Sequence, residues 1–191
     1  MWRNTQHGYG LVSISLHWLV ALAVIGLFAL GVWMVELTYY DPWYKTGPDL
    51  HKSIGLTLFA VMLLRLAWRL LNPRPHSEGT PLEQRLAGIV HTLLFVLLFM
   101  VMISGYLIST ADGRAIDVFN LISVPAVISG REQQEDIAGL AHQILAYGLI
   151  ALVALHALAA LKHHFIDRDQ TLKRMLKPNT ELTAQTNRRT S

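Results

Sequence analysis

Long apolar stretches alternate with short polar segments along the whole chain. Four of the stretches approach the ~20 residues that a helix needs to cross a bilayer: 11–35, 53–71, 87–109 and 138–161. Backbone polar groups must be satisfied within each segment in lipid, so these stretches are expected to be helices. The pattern predicts an all-α fold, a four-transmembrane-helix bundle. The second stretch is the weakest, because Arg65 and Arg69 interrupt it.

Composition agrees with a membrane protein rather than a soluble one. Of 191 residues, 52% are hydrophobic and only 15% are charged. We expect a cytoplasmic N-terminal segment (1–10), a four-helix membrane domain (11–166) and a basic cytoplasmic tail (167–191). The last ten residues of the tail are polar and are predicted to be disordered. The first apolar run is too long for a cleavable signal peptide.

Three polar connections separate the apolar stretches. We expect the first over 36–50 and the second over 72–86, where Pro81 and two earlier prolines disfavour helix at the start. The third, 110–137, contains the uncharged run VFNLISVPAVI. An apolar run of that length cannot cross a bilayer, so we expect it to lie on the membrane surface.

Basic residues are sorted to one side of the predicted membrane. With the N-terminus placed in the cytoplasm, twelve basic residues fall inside and four outside, the four being Lys45, Lys52, Arg114 and Arg131. This asymmetry predicts that the N- and C-termini are both cytoplasmic. It also argues that the high isoelectric point does not reflect nucleic-acid binding. The chain has no cysteine, which excludes iron–sulfur clusters and covalently attached c-type haem.

Histidines give the strongest chemical signal. His142 and His156 lie fourteen residues apart in one apolar stretch, a spacing that returns to nearly the same helix face about 21 Å further along the axis. Ionisable side chains inside a membrane are costly and usually mark a function. We therefore expect each imidazole to bind one of two stacked haem irons.

The other membrane histidines sort by depth once the topology is fixed. His51 is the sole partner for His142 at the outer level. At the inner level both His17 and His91 could face His156. We prefer His17 as the second ligand and keep His91 as its rival.

Three further residues share the fourteen-residue spacing. Arg65 follows His51 by fourteen, and could pair with a haem propionate at the inner level or extend to the interface. Gly31 and Gly105 follow His17 and His91 by the same interval. Each could let a helix approach a flat macrocycle, or serve ordinary tight packing between membrane helices.

Two other classes of site remain open from the residues alone. Buried histidines can serve only as hydrogen-bonding groups, although four at two matched depths make that explanation weak. A histidine-lined metal transporter is the second alternative. Such transporters usually add carboxylates, whereas no Asp or Glu falls within the four stretches.

Four motifs in order carry a resemblance to a known family: SISLHWLVAL (13–22), LHKSIGLTLFAVMLLRLAWRL (50–70), MISGYL (102–107) and LHALAALKHHFIDRDQTLKRML (155–176). Together they closely resemble the bacterial cytochrome b-561 family of inner-membrane electron carriers. The resemblance implies two b haems with axial ligands at His17, His51, His142 and His156. It also implies a quinone-linked role, with ubiquinone as the electron acceptor or donor.

Two functions follow from the resemblance as expectations. The chain could oxidise superoxide outside and reduce ubiquinone in the membrane, or it could serve as a haem-bearing subunit for a partner dehydrogenase or hydrogenase. His163, seven residues after His156, is our candidate contact for quinone or a propionate. The outer segments carry eight acids against four basic residues, a net of −4, so superoxide could be steered only locally, by Lys52 and Lys45.

Overall fold

A computed structural model describes residues 1–178 of the chain, and the tail segment predicted to be disordered lies outside these residues. Four long helices are each apolar enough to cross a membrane, which confirms the all-α four-helix bundle. They are α1 (Leu11–Met34), α2 (Thr46–Leu71), α3 (Pro81–Ser109) and α4 (Gln134–Phe165), followed by the short α5 (Lys173–Leu176). A two-stranded antiparallel hairpin, β1 (Ile116–Val118) and β2 (Ile122–Val124), joins α3 to α4.

The bundle consists of two helix pairs. α1 packs mainly against α2 and α3 mainly against α4, whereas α1 and α4 touch little. We call the end of the bundle where α1 begins the proximal end; it holds residues 1–10, the α2–α3 connection and the segment after α4. The opposite end, with the α1–α2 connection and the hairpin, is the distal end.

The buried core lies halfway along the bundle and draws on all four helices. Val24, Leu58, Leu98 and Leu149 meet there with Val20 and Met62. The first four follow His17, His51, His91 and His142 by seven residues each, which is about two helical turns. An apolar layer therefore separates two levels of histidine. Most other large apolar side chains face outward, as expected for a lipid-facing surface.

Three helices begin earlier than the hydropathy pattern predicted. α2 starts at Thr46 rather than 53, α3 at Pro81 rather than 87 and α4 at Gln134 rather than 138. The prediction that 72–86 is a connection was wrong after Thr80. Thr80 and Glu83 form a reciprocal capping box, and Pro81 occupies the first helical position, where its missing N–H costs nothing. The first turns of these helices are polar because they extend beyond the hydrocarbon layer, so a hydropathy profile does not include them.

Most of the apolar run in the α3–α4 connection belongs to the β-hairpin, and its location on the membrane surface stays a prediction. In the hairpin Asp117 pairs with Ser123, and the turn places Phe119 and Asn120 at positive φ. The Ser53 hydroxyl, 3% exposed, accepts a hydrogen bond from the Phe119 N–H at 3.0 Å. This contact fixes the hairpin on the first turns of α2, immediately beside His51.

Polar contacts gather the separate segments of the proximal end. The Trp18 indole N–H donates to the Met175 carbonyl at 2.7 Å, which ties α1 to α5. Lys162 at the end of α4 pairs with Glu83 at the start of α3 at 2.7 Å. Arg174 pairs with Glu78 of the α2–α3 connection. The chain segments that leave the membrane on this side therefore form one network.

Candidate functional site

The distal histidines, His51 on α2 and His142 on α4, face each other across the bundle. Their ring centres lie 6.2 Å apart with the ring planes at 75°. Two metal–nitrogen bonds of about 2 Å each, with half an imidazole ring beyond each nitrogen, put two ring centres about 6 Å apart. The pair therefore has the separation that two axial ligands of one iron need.

A glycine lies behind each ring of the distal pair. A Cβ added to Gly31 would come within 3.2 Å of the His51 ring, and one added to Gly105 within 3.1 Å of the His142 ring. α1 thus presses against the His51 imidazole and α3 against that of His142, and any larger residue would push the ring away. The sequence suggested that these glycines make room for a flat macrocycle or for close helix packing. In the structure they make room for the two imidazole rings.

Hydrogen bonding orients the His142 ring. Its Nδ1 lies 2.9 Å from the Val101 carbonyl, to which Nδ1–H donates, and 3.2 Å from the Ser104 hydroxyl. This tautomer leaves the Nε2 lone pair free, as in histidines that bind metals. The Nδ1 atom of His51 is buried and has no hydrogen-bond partner within the described part of the chain.

A cavity of about 460 Å³ contains the distal pair, within the range of cofactor and ligand sites. Its walls are mainly apolar, with Val24, Leu58, Leu98 and Leu149 of the core layer among them. Two converging imidazoles in an apolar cavity backed by glycines fit a flat apolar macrocycle such as haem. The cavity shares the core layer with the proximal level, so the two levels are neighbouring compartments of one bundle.

Most charged side chains at the distal mouth of the cavity are paired, although Glu135 belongs to none of the ion pairs among the described residues. Lys52 lies 2.8 Å from Asp49, and Arg114 donates to Asp112 at 2.6 Å. The hydrogen bonds from the Arg114 side chain and backbone lower the pKa of Asp112, so the carboxylate stays charged and the pair stays neutral overall. The local anion steering expected from Lys52 is therefore weakened by its own partner.

The proximal level has three imidazoles instead of two. His17 on α1 and His156 on α4 have ring centres 6.4 Å apart, close to the distal separation. His91 on α3 lies only 5.2 Å from His156. The ring-centre separation from His156 thus matches the distal value for His17 and is about 1 Å shorter for His91.

Arginines at the proximal level contact the same cluster. The Arg65 Nη2 lies 3.1 Å from His17 Nδ1. The Arg65 and Arg69 guanidinium carbons stand 5.4 and 5.0 Å from the centre of the Phe95 ring. Arg65 thus reaches the proximal level, as expected from the fourteen-residue spacing that puts it on the same face of α2 as His51.

His163 lies beyond the proximal level, among charged residues. Its Nδ1 lies 2.7 Å from Asp169 and 3.1 Å from Asp167. Glu83, His163 and Asp167 bring one possible ligand atom each within 4.8 Å of one another, but Lys162 already pairs with both acids. This cluster is a network of ion pairs between α3, α4 and the following segment.

Two residues that orient the distal ligand were not predicted from the sequence. Val101 and Ser104 both contact His142 Nδ1. Ser104 alone carried a signal, since it is a polar residue next to Gly105 in an apolar stretch. A contact made by a backbone carbonyl across two helices, such as that of Val101, cannot be predicted from the types of the residues.

Relatives of known name extend over nearly the whole chain. It is 49% identical over 175 residues to "Cytochrome b561 homolog 2" of Escherichia coli (strain K12), covering 91% of this chain and 93% of that one. It is 31% identical to "Probable superoxide oxidase CybB" of Yersinia pestis, with 88% and 95% covered. "Cytochrome b562" of Cereibacter sphaeroides is 27% identical, with 91% and 98% covered.

The family profile described as prokaryotic cytochrome b561 matches residues 8–178, the same part of the chain that forms the four-helix bundle. Membership of that family accounts for the apolar helices and for the histidines placed within them. It makes the protein a bacterial membrane cytochrome that binds haem b and transfers electrons. The chain belongs to the prokaryotic cytochrome b561 family.

Proposed function

We propose that the protein carries electrons across the bacterial inner membrane through two b haems and exchanges them with the quinone pool. The observation that carries this proposal is the pair of histidine levels, with ring separations of 6.2 and 6.4 Å. The fourteen residues between His142 and His156 put the levels about 21 Å apart along α4. That distance is most of a ~30 Å hydrocarbon layer.

His51 and His142 are the proposed axial ligands of the distal haem, and His17 and His156 those of the proximal haem. The similar separations support this set, and the 5.2 Å between His91 and His156 argues against the rival ligand. Family membership leaves the metal-transporter hypothesis without support.

Each bound haem would supply a one-electron iron couple, and the histidine pairs named above would hold it. The protein residues position and insulate it. The Val101 carbonyl holds the His142 ring in the tautomer that presents Nε2, and Gly31 and Gly105 make space for the two distal rings. The core layer between the levels excludes water and keeps the interior apolar.

The proximal end is proposed to face the cytoplasm, since the basic residues concentrate there. Quinone is proposed to react near this end. His163 remains our candidate contact for quinone or a propionate. Its Nδ1 is engaged by Asp169 at 2.7 Å, so contact would use Nε2.

Haem stoichiometry with a spectrum tests the proposal. The purified protein, with haem measured as the pyridine haemochrome against protein mass, is expected to contain two haems per chain and to show b-type bands on reduction. One haem per chain would contradict the two-level assignment while leaving the family intact. Quinol-driven reduction of the haems in the same sample tests the link to the quinone pool.

Superoxide oxidation is a second candidate, favoured by the 31% identity to a protein named as a probable superoxide oxidase. The paired charges at the distal mouth provide no broad anion attraction. Purified protein that reduces quinone when superoxide is generated, and stops when superoxide dismutase is added, would establish this activity. Protein that is inactive alone but reduced by a co-purifying dehydrogenase or hydrogenase would instead indicate the anchor-subunit role.

A further inference from the structure

Two arginines on α2 stand inside the membrane-spanning region without acidic partners. The ion pairs within residues 1–178 all use other basic side chains, so neither Arg65 nor Arg69 has a carboxylate there. Both side chains are partly shielded from solvent. Unpaired charges at such depths are costly and usually face an interior site with a compensating group.

The guanidinium groups of Arg65 and Arg69 lie against the same aromatic ring. Arg65 and Arg69 are four residues apart and therefore share a face of α2. Both stack on Phe95 of α3, at 5.4 and 5.0 Å from its ring centre. The ring supplies favourable cation–π contact, but it does not neutralise two positive charges. An anion with two negative groups would complete the arrangement.

The contact between Arg65 and His17 identifies when that anion is needed. A guanidinium has only donors, so His17 Nδ1 must accept the hydrogen bond that spans 3.1 Å. A neutral imidazole that binds iron through Nε2 carries its proton on Nδ1 and can no longer accept. Iron binding therefore deprives Arg65 of its acceptor at the moment when a haem, with its two carboxylates, enters the site.

We propose that Arg65 and Arg69 form a two-arm anion clamp, supported by Phe95, that binds the two propionates of the proximal haem. The inference rests on the haem assignment proposed above and adds Arg69 as the second arm. It also fixes the orientation of that haem, because the carboxylate edge must lie toward α2 and α3. Arginine is suited to this role because its planar fork matches a carboxylate.

The clamp would also set the potential of the proximal haem. A cation beside a propionate offsets negative charge that otherwise favours the ferric state. Loss of one arm should therefore lower the midpoint potential of the proximal haem and leave that of the distal haem unchanged.

Spectroelectrochemical titration of purified, haem-loaded protein tests this inference. Arg69→Gln is expected to retain two haems and to shift one midpoint potential downward, and Arg69→Lys to restore part of the shift. Arg85→Gln is the matched control, since it removes the same charge from an exposed residue at the same end. Combining Arg69→Gln with His51→Ala, which should leave only the proximal haem, assigns the shifted potential.

The outcomes separate this inference from the proposed function. Fewer than two haems in the unaltered protein would remove the basis of both. Two haems with potentials that are the same in Arg69→Gln, Arg85→Gln and unaltered protein would overturn the clamp alone. A shift confined to the distal haem would also overturn it. Arg65→Gln, which removes the arm beside His17, is expected to lose proximal haem and bring the content toward one per chain.

Discussion

The distal and proximal levels each contain a histidine pair with a similar ring separation, but the residues around the two pairs differ. At the distal level two imidazoles face each other in an apolar cavity, with a glycine behind each ring and a backbone carbonyl that orients one of them. At the proximal level three imidazoles cluster, and two arginines stack on Phe95, one of them within hydrogen-bond distance of His17. The distal level is shaped mainly by fit, and the proximal level mainly by charge.

This difference suggests that the distal level depends on side-chain volume and the proximal level on charge. A site defined by glycine contacts tolerates little change in volume, and most of the charged side chains at its mouth are already paired. A level rich in cations and imidazoles can bind carboxylates and can shift a potential. The following predictions test whether the two levels respond to shape and to charge as this comparison requires.

Removal of a distal ligand should have the largest effect. His142→Ala or His51→Ala is expected to reduce haem from two per chain to one, because no other imidazole stands at the distal level among the described residues. Haem content and the reduced spectrum measure the loss. His76→Ala, in the α2–α3 connection, is the control and should retain both haems. Two haems in His142→Ala would refute the distal assignment.

At the proximal level, we expect substitution of His17 and substitution of His91 to have different effects on haem content. His17→Ala is expected to lose one haem, whereas His91→Ala should keep two, because its 5.2 Å separation from His156 is too short for a shared iron. The same haem assay decides between them. The reverse result, loss with His91→Ala and retention with His17→Ala, would exchange the two roles.

Adding a methyl group behind a distal ring should have an intermediate effect. Gly31→Ala would bring a Cβ within 3.2 Å of the His51 ring, so the ring must move; overpacking of this kind costs about 1–3 kcal/mol. We expect weaker retention of the distal haem during dilution in detergent. Gly26→Ala is the matched control on α1, since its Cβ would meet nothing within 4 Å. Equal behaviour of the two variants would count against packing as the basis of the distal level.

The smallest effect is expected from the hydrogen bonds of the distal ligand. Ser104→Ala removes a hydroxyl 3.2 Å from His142 Nδ1 but leaves the Val101 carbonyl in place. The loss of one such contact is worth about 1 kcal/mol. Haem content should stay at two, with a small decrease in thermal stability and a shift in one potential. A lost haem would show that Ser104, rather than Val101, orients the ring.

Much of this arrangement could be predicted from sequence because helices convert spacing into direction. A fourteen-residue interval keeps one face, so the expectations for His51 with His142 and for Gly31 and Gly105 required only the helix repeat and the topology. The structure places both glycines against histidine rings at the distal level. Apolar length alone was enough to give the four helices.

Other features could not be predicted from such spacing. The hairpin strands have three residues each, and Phe119 at positive φ is an unusual turn residue, so the turn had no clear signal. The convergence of Arg65 and Arg69 on Phe95 depends on the rotation of α2 against α3. The start of α3 carries a capping signal in its Thr-Pro-Leu-Glu sequence, which hydropathy alone does not detect.

The interval between His142 and His156 has an electrical consequence. Charge that moves from the distal to the proximal level travels about 21 Å along α4, roughly two thirds of a ~30 Å hydrocarbon layer. A potential of 100 mV is worth about 2.3 kcal/mol for a full crossing, so this displacement feels about 1.6 kcal/mol. That energy changes the ratio of electrons at the two levels by more than about tenfold. The membrane potential of the cell would therefore help determine whether the electron resides at the distal or at the proximal level.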